Sequence, residues 1–131
     1  MASQLHDEYL KRAEEKLNAA NYLFEGKFYF DSISRAYYSM YYSARALLSL
    51  KEIYPKSHRG VITQFGLEFV KQGFIDETLG KAMNYACDRR QEADYGVDLV
   101  ISKEEAEDIL DLANEFFEKV NEVIEKIKNK L

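Results

Sequence analysis

Tryptophan is absent from this sequence, and proline, cysteine and histidine are scarce: one Pro, one Cys and two His. The lone Cys87 excludes an internal disulfide framework and fits a reducing compartment. So few histidines and cysteines leave no cluster at metal-ligand spacing, so neither a metal nor a cofactor is expected. No phosphate-loop glycine pattern and no nucleophile elbow occurs. No apolar run approaches the roughly 20 residues that span a bilayer. The opening MASQLHDEYLKRAEEK is charged from the start, so no signal peptide is expected and cytoplasm is the default.

What is present is a chain of 131 residues, 47% hydrophobic and 31% charged. That length suits one globular domain, residues 1–131, with room for a core. The net charge of −5 is unevenly spread: −2 over residues 1–26, +4 over 27–90 and −7 over 91–131. Overall acidity argues against a non-specific nucleic-acid coat protein, but a local basic patch in the middle segment is compatible with it.

Helical periodicity runs through the whole chain. Leu5, Tyr9, Ala13, Leu17, Ala20, Tyr22 and Phe24 predict a first helix over 4–25, with Ser3 as N-cap and Gly26 as the residue that ends it. Asp31 or Ser32 is expected to cap the second helix, which fades at Lys51-Glu52 before Tyr54-Pro55. Ser57 caps a third helix over 58–72, stopped by Gly73. Asp76 caps a fourth over 77–95, with Gly96 as terminator and an extended stretch over 96–101. Ser102-x-x-Glu105 reads as a capping box opening the fifth helix, 103–130. The expected fold is all-α: an up-and-down antiparallel bundle of four main helices plus a shorter one.

The second helix, around DSISRAYYSMYYSARALLSL, has two faces. Ile33, Tyr37, Met40, Tyr41, Ala44, Leu47 and Leu48 form a core side. Arg35, Ser39, Tyr42, Arg45 and Ser49 form a second side, with Tyr38 between the two. An ordinary solvated face would carry Glu and Lys, so this side is a candidate site or interface. A second candidate is Cys87-Asp-Arg-Arg-Gln-Glu-Ala-Asp-Tyr95. Arg90 and Asp94 are four apart and share a helix face. An Arg grips phosphate with its planar fork, Asp94 and Tyr95 can orient it or move a proton, and Arg89 adds charge. The bland alternative is an intrahelical ion pair and a tyrosine closing the helix end. His58-Arg59 opens the third helix, where free backbone N–H groups favour anions. There the bland alternative is a plain Ser cap with exposed neighbours. The functional reading expects the groups centred on Arg35 and Arg90 to converge on one hollow.

Ser34-Arg-Ala-Tyr-Tyr-Ser-Met-Tyr-Tyr-Ser-Ala-Arg-Ala-Leu-Leu48, Ser57-His-Arg-Gly60 and Arg90-Gln-Glu-Ala-Asp-Tyr95, in that order, resemble the HEPN superfamily of small helical domains, and within it the UPF0332 type. The resemblance implies a helical bundle, a homodimer, and a minimal nucleotidyltransferase as partner. It also implies, for many members, metal-independent ribonuclease activity in toxin–antitoxin systems, with a signature of Arg, four to six residues, then His. This sequence departs from that signature. Arg90 is followed after four residues by Tyr95, and Arg35 after six by Tyr42. A Tyr with a pKa of about 10 is a poor substitute for an acid–base His.

The reading is a HEPN-like dimeric partner of a nucleotidyltransferase that binds RNA or nucleotide. Arg90, Tyr95 and Asp94 are the catalytic candidates, and Arg35, Tyr38, Tyr42, His58, Arg59 and Arg89 the binding candidates. Tyrosines of the cluster suit stacking on bases, or accepting a nucleotidyl group from the partner. Alternatives are an active metal-independent endoribonuclease using Arg90 and Tyr95, with Arg35 or His58 assisting, and a purely structural interaction domain.

Overall fold

The computed structural model describes the backbone of residues 2–95 and 100–130, and no side chain at 2, 3 or 93–95. Helix α1 (Ala2–Glu25) turns back through residues 26–28 into α2 (Tyr29–Leu50). Two contacts set the register: Ser32 Oγ donates to the Ala20 carbonyl at 2.8 Å, and the Tyr9 and Tyr42 rings stack at 6.3 Å. One pair lies near the turn and the other far from it, so the helices run antiparallel. Helices α3 (His58–Phe65), α4 (Glu77–Tyr95) and α5 (Lys103–Asn129) complete the bundle. Helix α2 packs against all the others.

The α1–α2 contact is close because the facing side chains are small. Ser32, Ala36, Ser39 and Ser43 recur at helical spacing on α2, and Ala13 and Ala20 on α1; all are fully buried. Ser39 and Ser49, expected on an accessible second side, therefore lie inside the bundle. Only part of that side, Tyr42 and Arg45, reaches a cleft; Arg35 is exposed.

Three expected caps form. Ser57 Oγ accepts from Gly60 N–H at 2.9 Å, Asp76 Oδ1 from Thr78 N–H at 2.8 Å, and Ser102 Oγ from Glu105 N–H at 3.1 Å. Other boundaries differ. Helix α1 begins at Ala2, which puts Ser3 inside its first turn. Helix α2 begins at Tyr29 after Phe28, with no side-chain cap. Asp31 then sits in the first turn, where the helix dipole favours an acid, and Ser32 is drawn off to α1. Gly26 is not the left-handed residue that closes α1; Lys27 is, at φ 68°. Phe28 N–H donates to the Leu23 carbonyl and Lys27 N–H to that of Phe24, both at 2.9 Å, which is a Schellman closure with Lys27 at its centre. Glycine at 26 answers a different need. A Cβ there would stand 3.0 Å from the Phe28 ring folded over it. Glu52 (φ 59°) closes α2 in the same way, and Gly73 (φ 87°) ends the third helical segment as expected. That segment is not one regular helix, because Gly66–Val70 forms a π-helical turn after α3. Gly96 and most of the stretch 96–101 lie outside the described residues.

Candidate functional site

Four consecutive residues set the entry to α3. Ser57 caps it, and Gly60 leaves room for the turn, since a Cβ there would lie 3.0 Å from Ser57 Oγ and 3.2 Å from Pro55 Cβ. Arg59 reaches to α4, donating to Asn84 at 2.8 Å and pairing with Asp88 at 3.5 Å. His58 turns inward. Its Nδ1 lies 2.7 Å from the Tyr37 hydroxyl, and its ring stacks on Tyr41 with centroids 4.2 Å apart and planes 16° apart. Tyr38 meets the imidazole edge-on at 5.8 Å.

Arg90 approaches the same rings from α4. Its guanidinium carbon is 5.3 Å from the centroids of both Tyr37 and Tyr38, within cation–π range. On the other side of His58, Arg45 donates to the Tyr41 hydroxyl at 3.0 Å and lies 4.9 Å over the Tyr9 ring. Arg12 stands 5.8 Å from the Tyr42 ring. A cleft of about 340 Å³ opens here, between Leu5, Glu8, Tyr9 and Arg12 of α1, Tyr38, Tyr41, Tyr42 and Arg45 of α2, and His58.

The electrostatics follow from the packing. Burial pushes the Tyr37 phenol far above its ordinary value, and neighbouring Cys87 adds to the shift while Arg90 opposes it. Tyr37 therefore stays a neutral hydroxyl. Burial also lowers the His58 pKa, and the positive Arg90 and Arg45 lower it further. A neutral imidazole fits the Tyr37 contact in either tautomer: with Tyr37 donating, Nδ1 accepts and Nε2 carries the hydrogen; with Nδ1–H donating to Tyr37, Nε2 is a bare base. The cluster can hold an anion between guanidinium groups, stack on a flat ring, and move a proton at an imidazole.

Of the residues singled out from sequence, Arg90, Tyr38, Tyr42 and His58 come together. Arg35 does not join them; it is exposed, one turn before Tyr38. The convergence expected between Arg35 and Arg90 is instead between Arg90 and the rings of Tyr37 and Tyr38. Arg89 is taken by α5: it meets Glu105 through Nε at 2.6 Å and Nη2 at 3.0 Å, and Glu92 at 2.9 Å. Arg59 is engaged with Asn84 and Asp88, away from the cleft lining. The side chains of Asp94 and Tyr95 lie outside the described residues. His6 is buried in α1. Sequence reasoning placed Tyr37 and Tyr41 only in the core, put Arg45 on the candidate face of the second helix without a role of its own, and passed over Tyr9 and Arg12 as site groups. One signal was available: a buried tyrosine needs a partner for its hydroxyl, and His58 and Arg45 supply it. Among the described residues no group of His, Cys, Asp and Glu is arranged to hold a metal ion, and no helix is long and apolar enough to cross a membrane.

The HEPN domain profile matches residues 6–123. A candidate toxin of Methanocaldococcus jannaschii is 44% identical over 115 residues, covering 88% of this chain and 85% of its own. A second candidate toxin of that organism is 40% identical over 118 residues, covering 90% of this chain and 80% of its own. A UPF0332 protein of Thermotoga maritima is 32% identical over 118 residues, covering 90% and 89%. The chain, an all-α bundle in which Arg90 and His58 meet the tyrosine rings of α2, belongs to the HEPN family and, within it, to the UPF0332-type proteins.

Proposed function

We propose that this protein is the toxin-type member of a toxin–antitoxin pair, that it works in the cytoplasm as a homodimer with a minimal nucleotidyltransferase as partner, and that its cleft binds RNA or a nucleotide. The observation that carries the reading is the gathering of Arg90, His58 and the α2 tyrosines from separate segments of the chain into one cluster. Guanidinium groups take phosphate, and tyrosine faces take bases. The candidate-toxin relatives support the toxin assignment.

One observation favours a second reading, a metal-independent endoribonuclease. His58 sits against Tyr37 and Tyr38, the rings that Arg90 covers. An imidazole held neutral is available as a base near pH 7. In that reading His58 takes the proton of a 2′-hydroxyl, and the 2′-oxygen attacks phosphorus while Arg90 stabilises the developing charge. The 5′-oxygen leaves as a hydroxyl, protonated by the imidazolium or by water, and a 2′,3′-cyclic phosphate remains. His58 then fills the acid–base place in which Tyr95 stands along the sequence.

Incubation of the purified protein with mixed RNA in EDTA tests both readings. Cleavage lost in both Arg90→Ala and His58→Gln supports the ribonuclease. Binding without cleavage, weakened by Arg90→Ala, supports the binding module. Neither binding nor cleavage leaves a scaffold and overturns both. Light scattering that shows only monomer at micromolar concentration overturns the dimer. Failure to co-purify with a co-expressed nucleotidyltransferase from the neighbouring gene overturns that partnership.

A further inference from the structure

His58 and Tyr38 line one side of the cleft, with Arg90 over the Tyr38 ring; the α1 side carries a second set of similar chemistry. We propose that Tyr9, Arg12 and Arg45 form a second phosphate-and-base subsite, so that the cleft takes a single RNA strand of at least two nucleotides in preference to a mononucleotide. This rests on the reading that the cleft binds RNA or nucleotide.

Two positive poles flank His58. Arg90 comes from α4 and covers Tyr37 and Tyr38, whereas Arg45 comes from α2 and covers Tyr9 and Tyr41. They share no ring, and the rings between them, Tyr37 and Tyr41, are 6.2 Å apart. The two guanidinium groups thus address separate sets of rings, and a strand that carries two phosphates can meet both. Arg12 extends the second pole along α1, at 5.8 Å from Tyr42. The contrast with other arginines is chemical. Arg59 and Arg89 meet carboxylates, which neutralise them. Arg12 and Arg45 lie over tyrosine rings, and a guanidinium on a ring face keeps N–H edges directed outward for phosphate.

The bases have a platform as well. Tyr9 and Tyr42 are within 20° of parallel and both line the cleft. Stacking on tyrosine accepts any base, which suits a strand read by its backbone. Among the described residues, Glu8 is the one acidic residue of the lining, on α1. It opposes a polyanion on this arm, so its removal is expected to tighten binding.

The test measures anisotropy of the full chain with a labelled 2′-O-methyl RNA hexamer, which 2′-hydroxyl attack cannot cleave, in competition with adenosine monophosphate. The hexamer is expected to bind about tenfold or more tighter than the mononucleotide. Arg12→Gln and Arg45→Gln should each shrink that advantage by about threefold or more and reduce the salt slope of hexamer binding by about 0.7, the loss of one phosphate contact on a single strand. Glu8→Gln should enlarge it. Arg12 is exposed, so its variant keeps the inference testable if Arg45→Gln disturbs Tyr41. Equal affinities for hexamer and mononucleotide, or a hexamer affinity indifferent to Arg12→Gln, would overturn the subsite while mononucleotide binding still upholds the cleft. Binding of neither ligand overturns both.

Discussion

His58 is held neutral by its surroundings, and that has a measurable sign. Burial, then Arg90, then Arg45 lower its pKa below the ordinary value of about 6.5. The unfolded chain lacks all three influences. Between the folded value and about 6.5 it therefore binds more protons than the native state, so stability is lost as pH drops through that window and is intact above it. Urea unfolding at about pH 7.5 and about pH 5.5 should show the wild type losing more stability than His58→Gln; equal losses would refute the assignment. Phosphates bound at Arg90 and Arg45 would offset their charge, so a bound strand should raise the His58 pKa in an NMR titration. Lys27 offers a simpler case. It adopts φ 68° at the α1–α2 turn, where a Cβ crowds the following carbonyl and glycine does not. Lys27→Gly should stabilise the fold by about 0.5–1 kcal/mol, seen as a higher urea midpoint at unchanged slope.

Between elements, the contact that fixes the end of α4 is a carboxylate at the start of α5. Glu105 accepts from Arg89 and from the Tyr85 hydroxyl at 2.7 Å, and the Glu105 side chain is 20% exposed. It was legible from sequence as half of a capping box, and the Ser102 half forms. The other half does not, because a guanidinium from α4 is a stronger partner for a carboxylate than a backbone N–H. Arg89 was misread for the same reason: sequence shows a cation beside Arg90 but not the acid 16 positions away. Helix spans and the Ser57, Asp76 and Ser102 caps were readable because they depend on neighbours in the chain. The α1 arm of the cleft was not, because Tyr9 and Arg12 read as an ordinary amphipathic helix until α2 lies against them. Since Arg89 and Arg90 are adjacent, anchoring one sets the direction of the other. Glu105→Gln should cost about 1–3 kcal/mol, speed amide exchange in the first turns of α5 and weaken RNA binding. Unchanged exchange with unchanged binding would show that the anchor is idle.

At the scale of the molecule, the bundle has one contiguous core to which every element contributes. Leu17 and Ala20 of α1, Tyr37 and Leu47 of α2, Phe65 of α3, Phe69 of the π turn, Met83 of α4 and Phe116 of α5 are buried in it together. Phe116 stacks on Phe65 at 5.2 Å, and Phe65 meets Phe69 at 6.0 Å. Helix α5 is thus joined through aromatic rings to the third helical segment, whose first residue, His58, stands in the cleft. With the core continuous, no subset of helices keeps its apolar face covered when the rest departs, so the chain is expected to unfold as one cooperative unit. Tyrosine fluorescence, undisturbed by tryptophan, comes from all ten tyrosines, the cleft rings Tyr9, Tyr38, Tyr41 and Tyr42 among them, and far-ultraviolet circular dichroism reports all the helices. The two urea transitions should coincide. Phe116→Ala should lower both midpoints together by a loss of about 3–5 kcal/mol, since it removes a ring that is 1% exposed. A fluorescence transition that precedes the helical one, or a Phe116→Ala effect on one signal alone, would divide the molecule into separately stable parts and detach the cleft from the core that is argued to hold it.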